Sequence, residues 1–85
     1  MKTSVDEALV HQIKDGDEDA FELMVIKYRP RILASLLRYT SSRELSEDLT
    51  QQTFLRVWEK IDTFKGNSTL FTWIYSISIN LARNY

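Results

Sequence analysis

The sequence of 85 residues has no cysteine, two glycines, one proline and a single histidine, His11. Without cysteine the chain forms no disulfide and offers no thiolate to zinc. One histidine supplies neither a metal-binding pair nor an easily assembled Ser-His-Asp triad. No apolar run approaches the roughly 18 residues of a membrane span, and the first residues lack a signal peptide's apolar stretch. We therefore expect a soluble, cytoplasmic domain that has no catalytic residues and binds no metal, cofactor or membrane.

Charge is unevenly distributed along the chain, although the formal net charge is only −1. Residues 1–22 carry seven acidic and two basic side chains, whereas residues 23–85 carry five acidic and nine basic ones. The near-neutral total therefore combines an acidic amino-terminal segment with a basic remainder. This pattern suits an anionic partner, but ordinary solvated helix faces also produce it.

The scarcity of glycine and proline favours a few long helices. Ser4 begins the first helix in a capping box with Glu7, and Asp15-Gly16-Asp17 separates it from the second. Pro30 lies inside the second helix and predicts a kink or short break near Tyr28. We expect an all-α fold, a compact bundle of about four helices that forms one domain over residues 1–85.

The last two helices are joined by a short glycine-containing loop around Gly66. The third helix is capped by Ser42 and runs to about Ile61, and Asn67 or Ser68 is expected to cap the fourth. The fourth segment is rich in β-forming residues, but no other segment reads as a partner strand. Its apolar residues also form one helical stripe, Leu70, Ile74, Ile77 and Leu81, so we predict a helix.

The third helix has two faces that carry apolar residues. Phe54, Val57, Trp58 and Ile61 cluster on the side expected to face the core. A second stripe lies at i, i+3, i+4 and i+7 and consists of Asp48, Gln51, Gln52 and Leu55. This stripe is polar enough to be exposed and apolar enough to bind a partner, although a merely solvated surface would look the same.

The loop and the fourth helix combine aromatic, amide and basic side chains. Aromatic rings stack on exposed bases, amides contact base edges and basic groups neutralise phosphate. The helix amino terminus after Gly66 also favours phosphate. In so small a domain most of these rings are needed in the core, and Phe71 and Trp73 are interpreted as structural.

Taken together, these segments resemble region 2 of bacterial sigma factors of the extracytoplasmic-function (ECF) group. Two long motifs carry the resemblance, in the right order and at the right spacing. The first is Glu47-Asp48-Leu49-Thr50-Gln51-Gln52-Thr53-Phe54-Leu55-Arg56-Val57-Trp58, and the second is Asp62-Thr63-Phe64-Lys65-Gly66-Asn67-Ser68-Thr69 with Thr72-Trp73-Ile74-Tyr75, Ile77 and Asn80.

The resemblance implies a transcription initiation factor that binds RNA polymerase and melts the promoter minus-ten element by capturing a flipped base of the non-template strand. It assigns docking on the clamp helices of the polymerase β′ subunit to Asp48, Gln51, Gln52 and Leu55. It also implies an anti-sigma partner. The residues that it places at single-stranded promoter DNA are Phe64, Lys65, Asn67, Ser68, Thr69, Ser76, Asn80, Arg83 and Asn84, with Arg56 and Lys60 as further phosphate contacts.

The chain departs from the family pattern at three points. Ser76 stands where the family commonly has arginine or lysine, and Thr69-Leu70-Phe71 is apolar where the family is variable. The family's second domain, a helix-turn-helix module, is absent, so we expect the chain to be a fragment of a longer protein.

Three other functions remain open from the sequence. The first alternative is a helical protein-interaction module that does not bind DNA. A duplex-reading helix-turn-helix protein fits less well, because the last helix is rich in aromatic residues and isoleucine. An enzyme fits least, since capping accounts better for the neighbouring carboxylates Glu47 with Asp48 and Asp15 with Asp17.

Overall fold

The computed structural model describes residues 4–85, which fold into four α-helices and one short 3₁₀ turn. The α-helices are α1 (Val5–Lys14), α2 (Glu18–Thr40), α3 (Arg43–Lys60) and α4 (Leu70–Arg83), and the 3₁₀ turn (Ile61–Thr63) follows α3 directly. Residues 4–85 contain no strand, so the prediction of an all-α bundle is confirmed, α4 included. Within this part of the chain no helix is both long and apolar enough to cross a membrane.

Each helix begins at a hydroxyl or carboxylate side chain that accepts a hydrogen bond from the amide three residues on. Ser4, Asp17 and Ser42 cap α1, α2 and α3 as predicted. The predicted cap of α4 was wrong, because Thr69 and not Asn67 or Ser68 accepts from the amide of Thr72. Three consecutive residues carry side chains capable of capping, and the backbone turns into the helix only at the last of them.

The second helix continues through Pro30, so of the predicted kink or short break near Tyr28 the break is not present. A proline lacks one amide donor and crowds the preceding turn. Pro30 lies on the exposed side of α2, where the carbonyl that loses its partner is close to water. The missing hydrogen bond is thus tolerated, and α2 remains one helix of 23 residues.

The hydrophobic core lies between α2 and the other helices, since α2 packs against α1, α3 and α4. Every helix contributes to this core, and the 3₁₀ turn adds Ile61. The fully enclosed side chains with the largest volume are Met24, Ile32, Leu36, Leu49 and Ile74. Burial of this apolar surface is the main force that holds the bundle together.

The core-facing side of α3 differs from the predicted one at one position. Phe54, Val57 and Ile61 are buried as expected, but Trp58 is 39% exposed. Its ring packs edge-on against Phe21 of α2, with ring centroids 4.9 Å apart. Trp58 therefore covers the border of the core, and the inner face of α3 is completed by small hydroxyl residues.

Candidate nucleic-acid and protein interfaces

The loop between α3 and α4 spans residues 64–69 and projects polar side chains into solvent. Lys65, Asn67, Ser68 and Thr69 are exposed, whereas Phe64 is half-buried. The Phe64 ring rests on Trp73 of α4, with centroids 5.1 Å apart. Gly66 has φ of +77° and provides the left-handed turn that reverses the loop toward α4.

A cavity of about 650 Å³ lies beside this loop, and α1 forms its opposite wall. The loop side carries Phe64, Lys65 and the hydroxyl residues before α4. The α1 side is lined by Ser4, Asp6, Glu7, Val10, His11 and Lys14. The cavity therefore joins an aromatic ring to hydrogen-bonding groups, a combination that suits a nucleobase.

One hydrogen bond connects the two walls of the cavity. The Lys14 Nζ donates to the Phe64 carbonyl at 2.7 Å, across a sequence separation of 50 residues. No local pattern in the sequence predicts that α1 belongs to this site, because residues so far apart in the chain carry no shared periodicity or motif.

The exposed face of α4 continues from the loop along the helix. Thr72, Ser76, Asn80 and Arg83 follow one another at helical spacing and are all exposed, and Asn84 is exposed just after them. The Thr69 hydroxyl donates to the Thr72 hydroxyl at 2.9 Å, so the loop and this face form one continuous surface. Ser76 donates to the Trp73 carbonyl at 2.7 Å and contributes no charge to this surface.

The predicted basic residues of α3 lie outside the cavity. Arg56 and Lys60 are exposed and do not line it. The Arg56 guanidinium lies 3.7 Å from the Glu59 carboxylate, a weak surface ion pair. Both side chains can therefore approach a phosphate only from outside the cavity.

A basic side chain of α2 for which the sequence predicted no role contacts α4. The Arg31 guanidinium lies 3.8 Å from the centroid of the Phe71 ring, a cation–π contact. Phe71 in turn stacks on the exposed Tyr75, with centroids 5.9 Å apart and an angle of 29° between the rings. Phe71 and Trp73 are half-buried against the core, in agreement with the structural role expected for them.

A network of three side chains fixes α1 on α2. The Asp6 carboxylate accepts a hydrogen bond from Lys27 Nζ at 2.7 Å and a second one from the Tyr28 hydroxyl. Burial raises the pKa of Asp6, but the hydrogen bonds from Lys27 and Tyr28 outweigh it, and the pKa lies below its usual value. Burial and the bond to Asp6 raise the pKa of Tyr28. At neutral pH the network therefore joins a carboxylate to an ammonium and a neutral phenol.

The second predicted surface is on α3, where Asp48, Gln51, Gln52 and Leu55 are all exposed. Leu55 is 61% exposed, and Gln52 donates to Asp48 at 2.7 Å. Asp48, Gln51 and Leu55 lie along a groove of about 1000 Å³ between α2 and α3. Its α2 wall, which the sequence analysis did not assign, consists of Phe21, Val25 and Arg29.

The two candidate surfaces are separate, since no residue lines both the cavity beside Phe64 and the groove beside Leu55. Over residues 4–85 no three histidine or carboxylate side chains come together as metal ligands. The cavity beside Phe64 combines an aromatic ring with hydroxyl groups, and the groove beside Leu55 combines apolar with charged and amide side chains.

The model of a protein family described as Sigma-70 region 2 matches residues 24–85. The chain belongs to the sigma-70 region 2 family. The resemblance to region 2 of an ECF sigma factor is confirmed by curated relatives. Sigma factors are transcription initiation factors and not enzymes, so the family also bears out the prediction of a non-enzyme.

Two of these relatives match over 80 residues, or 94% of this chain. The ECF RNA polymerase sigma-E factor of Haemophilus influenzae is 38% identical, and the RNA polymerase sigma-H factor of Pseudomonas aeruginosa is 35% identical. In both cases the match covers 42% of the relative, so the chain spans about two fifths of their length.

A solved structure supports the same assignment for this region 2 domain. It is an NMR structure of an engineered region 2 of sigmaE in complex with GTAAAA. The TM-score is 0.86 at 31% sequence identity, and the match covers all of this chain and 90% of the other. The four-helix arrangement is therefore that of a sigma region 2 domain.

Proposed function

We propose that this region 2 domain recognises the promoter minus-ten element by holding one extruded base of the single-stranded non-template strand in the cavity beside Phe64. The observation that carries the proposal is the continuity of this cavity with the exposed face of α4. The Thr69–Thr72 hydrogen bond joins them, so a strand that leaves the cavity can run along Ser76, Asn80 and Arg83. The structural relative in complex with GTAAAA supports nucleic-acid binding by a domain of this fold.

The residues of this surface have different roles in the proposal. The cavity residues Phe64, Ser68 and Thr69 contact the extruded base. Lys65 and Asn67 contact the part of the strand that lies beside the loop. The strand then continues along α4, where it contacts Asn80, Arg83 and Asn84. Extruding a base costs a few kcal/mol. Stacking on an aromatic ring returns about 1–3 kcal/mol per base, and phosphate contacts add to this. Arg56 and Lys60 supply longer-range attraction for phosphate.

The same proposal assigns the groove beside Leu55 to RNA polymerase. Asp48, Gln51, Gln52 and Leu55 would dock on the clamp helices of the β′ subunit, in the cytoplasm where transcription takes place. The groove and the cavity share no lining residue, so the two partners would contact different residues of the domain. An anti-sigma factor would compete for one or both surfaces. The chain as proposed is one domain of a longer initiation factor whose helix-turn-helix module lies outside it.

Binding of labelled oligonucleotides tests the DNA half of this proposal. The probes are single-stranded DNA containing GTAAAA, a scrambled strand of the same composition and the corresponding duplex. Fluorescence anisotropy at low salt is expected to rank the single strand above the other two. Equal affinity for the scrambled strand would reject sequence recognition, and no binding to any strand would favour the alternative of a protein-interaction module.

A further inference from the structure

The Phe64 residue is held at three points, and one of them belongs to α1. Its amide donates to the Ile61 carbonyl at 3.1 Å, and its ring rests on Trp73 at 5.1 Å. The third point is the carbonyl, which accepts from Lys14 Nζ at 2.7 Å. The ring that would stack on a base is therefore oriented partly by a lysine from the opposite wall of the cavity.

Contacts with the rest of the bundle hold α1 in place, so the backbone that carries Lys14 has a fixed position relative to the loop. Asp6, at the other end of the helix, is bonded to Lys27 and to the buried Tyr28 of α2. Leu9, Val10 and Ile13 are buried in the core. Because the helix is held along its length, loss of the Lys14 contact would release the loop and not α1.

We propose that Lys14 is a positioning residue for the base cavity, and that α1 forms the second wall of the site. This inference rests on the proposed function. Lys14 acts through the Phe64 carbonyl, so it sets the distance between the aromatic ring and the α1 wall and thereby the fit of the extruded base. A lysine ammonium that donates to one carbonyl keeps its charge and two further donors, so a direct phosphate contact is the competing role for Lys14 that the experiment below must separate from positioning.

The first test compares Lys14→Met, which removes the donor and keeps the stem, with Lys14→Arg, which keeps a donor. Wild-type protein is first measured on strands with an abasic site at each position in turn, which locates the extruded base. Lys14→Met is expected to weaken binding of the intact strand about three- to tenfold, to change binding of the critical abasic strand by less than about twofold, and to leave the salt dependence unchanged. Lys14→Arg is expected to restore most of the affinity.

The opposite pattern would overturn the inference. If Lys14→Met loses the same factor of affinity on intact and abasic strands, and its affinity depends less on salt, Lys14 contacts a phosphate. If the affinity of Lys14→Met equals that of wild type, Lys14 has no role in binding. Lys60→Met serves as the contrast, since a phosphate contact weakens both strands alike and lowers the salt slope. If no abasic site affects wild-type protein, the proposed base capture itself has failed.

A second measurement requires no DNA and tests the contact directly. In a Trp58→Phe background the fluorescence reports Trp73 alone, on which the Phe64 ring rests. Lys14→Met is expected to change the emission maximum or the quenching by acrylamide, and Lys14→Arg is expected to match the parent. Identical spectra for all three proteins would show that Lys14 does not position the loop, whatever the outcome of the DNA experiment.

Discussion

Four hydroxyl side chains are fully buried where α3 and α4 meet the rest of the bundle. They are Ser46, Thr50, Thr53 and Ser78, and each has a hydrogen-bond partner. Thr50 and Thr53 donate to carbonyls one turn earlier in their own helix, at 2.7 Å each. Because the polar group is satisfied inside the helix, these residues act as small spacers that let helices approach closely.

Two substitutions at Thr53 are expected to show whether side-chain volume or the hydroxyl group matters more for stability at this buried position. Thr53→Val removes a hydroxyl whose carbonyl acceptor keeps its own helical partner, so the free energy of unfolding is expected to fall by no more than about 1 kcal/mol. Thr53→Leu overfills the closely packed site and is expected to cost about 1–3 kcal/mol. Urea unfolding measures both. A larger loss for valine than for leucine would mean that the hydroxyl and not the volume matters.

The Asp6–Tyr28 contact is expected to make stability depend on pH. The pKa of Asp6 is lowered in the folded protein, so its contribution is present above the unfolded pKa of about 3.9 and is lost as the pH falls through the folded value. Tyr28→Phe is expected to reduce the free energy of unfolding by about 1 kcal/mol at neutral pH, and by less in strong acid. Urea melts over a pH series give the difference.

A tyrosine elsewhere on α2 provides the matched control for this experiment. Tyr39 is 54% exposed, so Tyr39→Phe is expected to leave the stability nearly unchanged at every pH. If the difference between wild type and Tyr28→Phe stays constant as the pH falls well below the unfolded pKa of about 3.9, the contribution of Tyr28 does not depend on the titration of Asp6.

At the scale of helices, the amino terminus of α4 is where the fold and the candidate site coincide. Thr69 caps the helix, and its hydroxyl also bonds Thr72 on the exposed face. Thr69→Ala is expected to lower the free energy of unfolding by about 1 kcal/mol, because the helix loses its cap. It is also expected to weaken binding of the single strand severalfold, because the hydrogen bonds that connect the loop to α4 are lost. Thermal unfolding and anisotropy measure the two effects.

Removal of the cap of α3 is the control that separates the loss of stability from the loss of DNA binding. Ser42 accepts from the Leu45 amide at 3.2 Å and does not line the cavity beside Phe64. Ser42→Ala is expected to cost a similar amount of stability and to leave oligonucleotide affinity unchanged. If both alanine variants weaken DNA binding equally, the loss reflects general destabilisation and not the geometry of the loop.

The helices were more predictable from sequence than the details that connect them. Caps at Ser4, Asp17 and Ser42 and the periodicity of apolar residues are local signals, and they located three helix starts correctly. The cap of α4 was assigned one or two residues too early because several capping residues compete there. Trp58 was assigned to the core because periodicity does not reveal where a helix face meets the edge of its partner. The contact of Lys14 with Phe64 had no local signal at all.

At the scale of the whole molecule, the uneven charge has a spatial counterpart. The acidic segment includes α1, whose Asp6 and Glu7 line one end of the cavity. Exposed basic residues lie on α2, α3 and α4. Phosphates are therefore expected to avoid the Glu7 end of the cavity and to follow α4 toward Arg83. The distribution of charge would thereby set the path that a single strand takes across the surface of the domain.

This arrangement predicts different salt dependences for two neighbouring residues on α4. Arg83→Gln removes a charge and is expected to weaken binding while it lowers the slope of log K against log salt by about 0.7, the value for one phosphate on a single strand. Asn80→Ala removes an uncharged contact, so it is expected to weaken binding at an unchanged slope, with unchanged helicity by circular dichroism. Equal slopes for both variants would place Arg83 away from the phosphates.

The separation of the two surfaces leads to a prediction about binding of two partners at once. Gln51→Ala and Leu55→Ala are expected to weaken capture by a fragment containing the β′ clamp helices severalfold, because both residues line the groove between α2 and α3. Neither variant is expected to change the affinity for single-stranded DNA, and Asn80→Ala is expected to show the reverse selectivity. Pull-down and anisotropy on the same preparations compare the two. A loss of DNA binding in Gln51→Ala would mean that the two surfaces are misassigned, since Gln51 lines the groove and not the cavity.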